Sequence, residues 1–193
     1  MVTVAKKTYT PDEYFAWESQ AQIRHEYRRG DMIPLPGGTP THNEIMRMLV
    51  FLLTASLRQK PYCIFVSDQR LWIPATDQYT YPDVMVTPRP PELRPGRTDT
   101  VMNPICVAEI LSESTEGYDR GDKFSAYRTI PTFQEYLLIA QDKVQVEHFI
   151  KQTQNEWLFE EYKHLSDVVM LNSLEVRLSL AELYETVEFL ENS

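Results

Sequence analysis

The chain has 193 residues, 42% apolar and 24% charged, which suits one domain with a buried core and excludes wholesale disorder. No apolar run approaches the roughly 20 residues of a membrane span, and the first residues lack the long apolar stretch of a secretory signal, so a cytoplasmic protein with no membrane partner is expected. The net charge of −9 excludes a protein that coats nucleic acid non-specifically. That charge is uneven: residues 131–193 hold twelve acids against Lys143, Lys151, Lys163 and Arg177, whereas residues 1–130 balance to −1. A phosphate backbone would therefore meet the first two thirds, with help from a metal ion or a local arginine cluster.

Thr10-Pro-Asp-Glu13 starts a helix, with Thr as cap, Pro in the first turn and Glu closing a capping box; the helix ends near Ser19. Residues 24–34 read as extended and lead into a turn over Pro36–Pro40. Thr41-His-Asn-Glu44 reads as a second capping box, followed by Ile45, Met48, Leu49, Leu52, Leu53 and Leu57 on one helical face. Strands are expected at 62–67 and 70–74, joined as a hairpin through Ser67-Asp-Gln, then at 80–87 and 104–111. A proline-stiffened loop carrying Arg89, Arg94 and Arg97 lies between the last two. A helix at about 119–129 precedes strands near 134–140, 144–150, 156–162 and 174–178, and a C-terminal helix begins at Ser179. Strands grouped around one long helix, with a crossover helix between 104–111 and 134–140, give an α/β fold: a mixed sheet with helices on both faces. Cys63 and Cys106 lie in apolar runs without zinc spacing and read as buried free thiols.

The most informative segment is Ile105-Cys-Val-Ala-Glu109-Ile-Leu111, an apolar strand with one carboxylate in its middle. An ionised acid in a strand buried on both faces is costly unless it is paired or metal-bound. A second acid follows Pro82 in Tyr81-Pro-Asp83-Val. Proline cannot donate to a ladder, which puts Asp83 at the mouth of its strand. If the two strands are neighbours, the carboxylates converge, and a cation such as Mg²⁺ relieves their repulsion with oxygen ligands. Lys123, on the helix after the Glu109 strand, is placed to orient or deprotonate an attacking water and to support charge on phosphate. The alternative is a plain Asp119–Lys123 pair at i,i+4; the position after the acid-bearing strand favours the catalytic role.

Asp83-Val, Val107-Ala-Glu109-Ile-Leu-Ser112-Glu-Ser-Thr115, and Tyr118-Asp-Arg-Gly-Asp-Lys123 with Tyr127 together resemble the Uma-two family of restriction-endonuclease-like proteins, in the PD-(D/E)xK nuclease superfamily. His25-Glu26-Tyr with Gly30, Thr41-His42, Gln134-Glu-Tyr136 and the segment from Leu174 to Leu183 extend the resemblance over nearly the whole chain. It implies a restriction-endonuclease-like core and hydrolysis of DNA phosphodiesters with Mg²⁺ or Mn²⁺. Asp83 and Glu109 match the metal-binding acids. The superfamily lysine usually lies two residues after the second acid, where this chain has Leu111, so Lys123 looks like its migrated replacement. Glu113 stands where family members often have proline.

Glu26 matches a family acid and is a candidate for the catalytic set, against an exposed strand charge as the alternative. His42, in the first turn of its helix, is a candidate for phosphate binding, as are Arg89, Arg94 and Arg97, against solvated surface roles. Trp17, Trp72 and Trp157 read as core or strand-face aromatics, and Ser112, Ser114 and Thr115 as turn chemistry. Three functions compete: a metal-dependent endonuclease on double-stranded DNA, acting as a homodimer as nucleases of this fold often do; a catalytically silent dimeric interaction or nucleic-acid-binding protein; and a hydrolase of small phosphate esters.

Overall fold

The computed structural model describes residues 7–35 and 37–189; the first six residues, and Pro36 of the expected turn, lie outside the described residues. Helix α1 (Pro11–Glu18) carries the capping box read from the sequence, with Thr10 accepting from the Glu13 N–H and Glu13 accepting from the Thr10 N–H. The segment read as one extended stretch is a hairpin of β1 (His25–Arg28) and β2 (Asp31–Pro34). Its two-residue turn holds Arg29 at φ 45° and Gly30 at φ 94°, the pair of positive values such a turn demands. A side chain at Gly30 would also meet Thr8 at 3.0 Å.

Helix α2 (Pro40–Ser56) buries Ile45, Met48, Leu49 and Leu53 as its periodicity requires, but its cap is Thr39 rather than Thr41. Pro40 has no N–H to lose and a pre-set φ, so it takes the first helical position and leaves Thr39 to accept from the His42 N–H. Strands β3 (Tyr62–Val66) and β4 (Arg70–Ile73) are not a hairpin. They belong to different sheets, because β3 pairs with β6 while β4 pairs with β5 and β7. The strand read at 80–87 is two strands, β5 (Gln78–Thr80) and β6 (Val84–Pro88), interrupted at Pro82 for want of a donor. Next come β7 (Thr100–Val101), β8 (Cys106–Leu111), α3 (Glu116–Tyr118), a π-wound stretch Asp119–Lys123 and α4 (Phe124–Tyr127). The chain continues through β9 (Glu135–Ala140), β10 (Val146–Lys151), β11 (Trp157–Tyr162), β12 (Val168–Leu171), β13 (Val176–Ser179) and α5 (Leu180–Leu183), capped by Ser179 as read. The sequence pattern did not reveal β12.

The fold is a mixed α/β one whose central six-stranded sheet runs β11-β10-β9-β8-β6-β3, with β8 and β9 parallel and the other pairs antiparallel. A five-stranded sheet, β2-β1-β5-β4-β7, and the ribbon β12-β13 accompany it among the described residues. Alternation along the central strands separates two cores. Cys106, Ala108 and Ile110 face α2, the ribbon and α5, together with Leu137 and Ile139. Val107 and Leu111 face the opposite way with Met85, Tyr136 and Leu138, against α4 and β4. Cys106 is a buried free thiol as expected, whereas Cys63 is only half-buried. Trp72 and Trp157 pack on neighbouring aromatics. Trp17 departs from its expected place: it is largely exposed and sits edge-on to His25.

Candidate active site

Glu109 lies on the same strand face as Val107 and Leu111, under the helical segment 116–127. The ladder between β6 and β8 stops at Val84↔Ala108, and side chains carry it one step further. Glu109 Oε2 accepts the Asp83 N–H at 3.2 Å, and Asp83 Oδ2 accepts the Ile110 N–H at 2.8 Å. The two acids are thus locked across neighbouring strands at the point where Pro82 ends the pairing. His42, one turn into α2, reaches Asp83 Oδ2 with Nε2 at 3.2 Å. A Cβ at Gly38 would stand 2.9 Å from His42 Nδ1, so a side chain there would force the imidazole to shift.

The helical segment supplies the cation. Lys123 Nζ lies 2.9 Å from Glu109 Oε1, 3.3 Å from Asp119 Oδ1 and 3.8 Å from Glu26 Oε1. Lys123 thus makes the i,i+4 pair with Asp119 and also a contact with the strand acid Glu109. The group is deeply buried: Glu26 is 1% exposed, Glu109 2%, Asp119 3% and Lys123 6%. Glu26 is not an exposed strand charge; it accepts from the Thr80 hydroxyl and, at 3.0 Å, from Tyr118. Tyr127 donates to Glu109 at 2.8 Å and Tyr136 to the Asp119 carbonyl at 3.1 Å. These phenols, Thr80 and the Asp119 carboxylate were missed as members of the site. Helical spacing of Asp119, Lys123 and Tyr127 was the available signal.

Burial pushes Glu109 up to about 8, with Lys123 pulling it down and Asp83 and Asp119 adding repulsion. Burial works against the charge on Lys123, but the surrounding Glu109, Glu26 and Asp119 prevail and hold it well above the usual lysine range. Burial, with Glu109 and Glu26 beside it, also raises Tyr127.

Four carboxylates, from Glu26, Asp83, Glu109 and Asp119, share this region with one ammonium, and the imbalance is of the kind a divalent cation relieves. The donors are oxygens, which suits a hard ion. Among the described residues no three His, Cys, Asp or Glu side chains are arranged to enclose a metal. A pair of protein carboxylates completed by water or substrate is what Mg²⁺ accepts, and Asp83 with Glu109 fits that description. Asp83, the most open of the four with a side chain 20% exposed, gives access from solvent. Surface cavities of about 260 Å³ near Glu18 and about 480 Å³ near Arg128 are not lined by this group.

The arginine loop is not brought to the carboxylates. Arg89 donates to the Tyr62 carbonyl at 2.9 Å, and Arg97 pairs with Asp99 and lies over Phe15. Arg94 lies within 5.5 Å of the Phe15, Trp72 and Tyr79 ring centres. Ser112, Ser114 and Thr115 form the expected turn, their hydroxyls bonded to one another.

Comparison with known proteins gives the family and the fold. The model of the Uma2 family, described as "Putative restriction endonuclease", matches residues 11–182. The chain belongs to the Uma2 family. Two Synechocystis sp. proteins named only as uncharacterized, sll1609 and slr1290, are 42% and 34% identical to this Uma2 chain, over 83% and 93% of it and 91% and 93% of their own lengths. A crystal structure titled a "putative nuclease belonging to DUF820", from Anabaena variabilis, superposes with a TM-score of 0.73 over 90% of this chain and 96% of its own, at 20% identity. That likeness shows the shared fold.

Proposed function

We propose that this Uma2 protein hydrolyses phosphodiester bonds of double-stranded DNA, as a cytoplasmic homodimer using Mg²⁺ or Mn²⁺. The observation that carries the reading is the convergence of Asp83 and Glu109 from two strands with Lys123 from the following helix, its ammonium 2.9 Å from Glu109. Asp83 and Glu109 would hold the cation. When bound, such an ion supplies Lewis acidity at the phosphate and lowers the pKa of water.

The remaining chemistry belongs to side chains. Lys123, kept cationic by three carboxylates, orients the attacking water and offsets charge developing on the phosphate. A base role suits it poorly, because its proton is held too tightly. Glu26 and Asp119 keep the ammonium in place, and Tyr127 fixes the rotamer of Glu109. His42 anchors Asp83.

The decisive experiment is nicking of supercoiled plasmid with Mn²⁺, comparing wild type with Asp83→Asn. Asp83 is the least buried of the acids, so the amide removes charge with little burden on folding. A loss of at least about a hundredfold, with circular dichroism unchanged, is expected; equal cleavage by both proteins sinks the assignment.

A second reading is favoured by one observation. Lys123 is closed in by Glu26, Glu109 and Asp119, as in a nuclease fold kept as a silent binding module. Calorimetric titration with Mn²⁺ separates the two, since the silent module shows no binding that depends on Asp83.

A further inference from the structure

Arg28 is the last residue of β1 and shares a strand face with Glu26, because side chains two apart on a strand point the same way. Its guanidinium carbon lies 3.9 Å from the centre of the Tyr118 ring. The hydroxyl of that ring donates to Glu26, whose other oxygen lies 3.8 Å from Lys123. Arg28, Tyr118, Glu26 and Lys123 therefore form one continuous run, with Arg28 as its outer, half-buried member.

Among the described residues Arg28 has no anion beside it, unlike several other arginines of the fold. Arg24 is paired with Asp68, Arg70 with Asp99, and Arg120 with Glu116 and Glu147. No ion pair or side-chain hydrogen bond among the described residues uses Arg28, and its buried Nε has no partner. Burying an unpaired guanidinium donor is unfavourable. The aromatic ring holds the cation by its flat face, which leaves the terminal N–H groups at the guanidinium edge for an anion. A phosphate diester matches that edge in shape and charge.

We propose that Arg28, seated on Tyr118, is a phosphate-binding residue that receives the nucleic-acid backbone beside the carboxylate site. The inference rests on the nuclease reading for its ligand class. It places a substrate contact on β1, beyond the arginine loop at 89–97, where Arg89 and Arg97 are hydrogen-bonded to neighbouring groups.

The test is fluorescence anisotropy of a short labelled DNA duplex, in Ca²⁺, over a series of salt concentrations. Arg28→Met keeps the apolar stem on the ring and removes the charge; Arg28→Lys restores the charge without the fork. Arg28→Met is expected to weaken binding about tenfold and to lower the slope of log affinity against log salt by about one. Arg28→Lys should recover the slope and part of the affinity, a pattern that a purely structural arginine does not produce. Wild-type affinity and slope in Arg28→Met overturn the proposal, and so does a wild-type protein that binds no duplex. Plasmid nicking by wild type and Asp83→Asn reports separately on the nuclease reading, so cleavage that survives in Arg28→Met with unchanged binding removes Arg28 alone.

Discussion

The central sheet buries acids on both of its faces, and the two sets are treated differently. Beneath α4, Glu109 is met by Lys123 at 2.9 Å, by Tyr127 at 2.8 Å and by the Asp83 N–H at 3.2 Å. On the α2 face, Glu135 accepts the Ser173 N–H at 3.0 Å, but its other oxygen stands 3.7 Å from His148 Nε2. Neither ring nitrogen of His148 has a hydrogen-bond partner, nor does the Ser173 hydroxyl. Both acids are almost fully buried, so burial alone does not bring partners. Donors delivered to one carboxylate from the mouth of a neighbouring strand and from a helical segment mark an organised site; a loose pair contributes little beyond filling space.

Removing the cation should expose this contrast most strongly. Lys123→Met leaves three buried carboxylates without their ammonium and is expected to cost about 3–5 kcal/mol in urea denaturation at neutral pH. A stability equal to wild type would mean that charge pairing does not hold the cluster together.

The pH dependence follows from Glu109, raised to about 8 from 4.5. A carboxyl whose folded value is raised stabilises the fold at low pH, and that contribution is lost as pH climbs from about 4.5 through 8. In the same window a cation must displace the proton. Mn²⁺ affinity by calorimetry should therefore fall about tenfold for each pH unit below 8 and level off above it. Affinity independent of pH would remove Glu109 from the metal set.

Smaller effects separate the two faces further. Tyr127→Phe deletes one donor to Glu109 and should cost about 1–2 kcal/mol in the same denaturation assay. Replacing Glu135 and His148 together by leucine should change stability by less than about 1 kcal/mol, since a poorly satisfied polar pair exchanges for apolar contacts at little net cost. A loss comparable to that of Lys123→Met would show the two clusters to be energetically alike.

Much of the site was legible because its chemistry conflicts with its surroundings. Glu109 stands out in an apolar strand, and Pro82 marks where Asp83 must leave the ladder. Lys123 was found from the family pattern and from its place after that strand. What stayed hidden depends on contacts between distant segments. The burial of Glu26 comes from Thr80 and Tyr118, far along the chain, and a short polar-looking strand carries no trace of them. The grip of His42 on Asp83 spans 41 residues. The fold was misread where local signals compete: Thr39 and Thr41 both suit a cap, and Pro40 decides. The division of β3 from β4 is fixed by their partners, β6 for one and β5 with β7 for the other, rather than by the turn between them.

The π-wound stretch Asp119–Lys123 has a consequence for how this segment tolerates change in length. Each α-helical residue advances the chain by about 100° around the axis. Deleting Gly121, beside which an added side chain would meet nothing, would rotate Tyr118 and Asp119 about the axis relative to Lys123 and Tyr127. One phenol could then no longer donate to Glu26 while the other reaches Glu109. Point substitutions at Gly121 should be absorbed, whereas loss or gain of a single codon there should dismantle the site with every functional side chain still encoded.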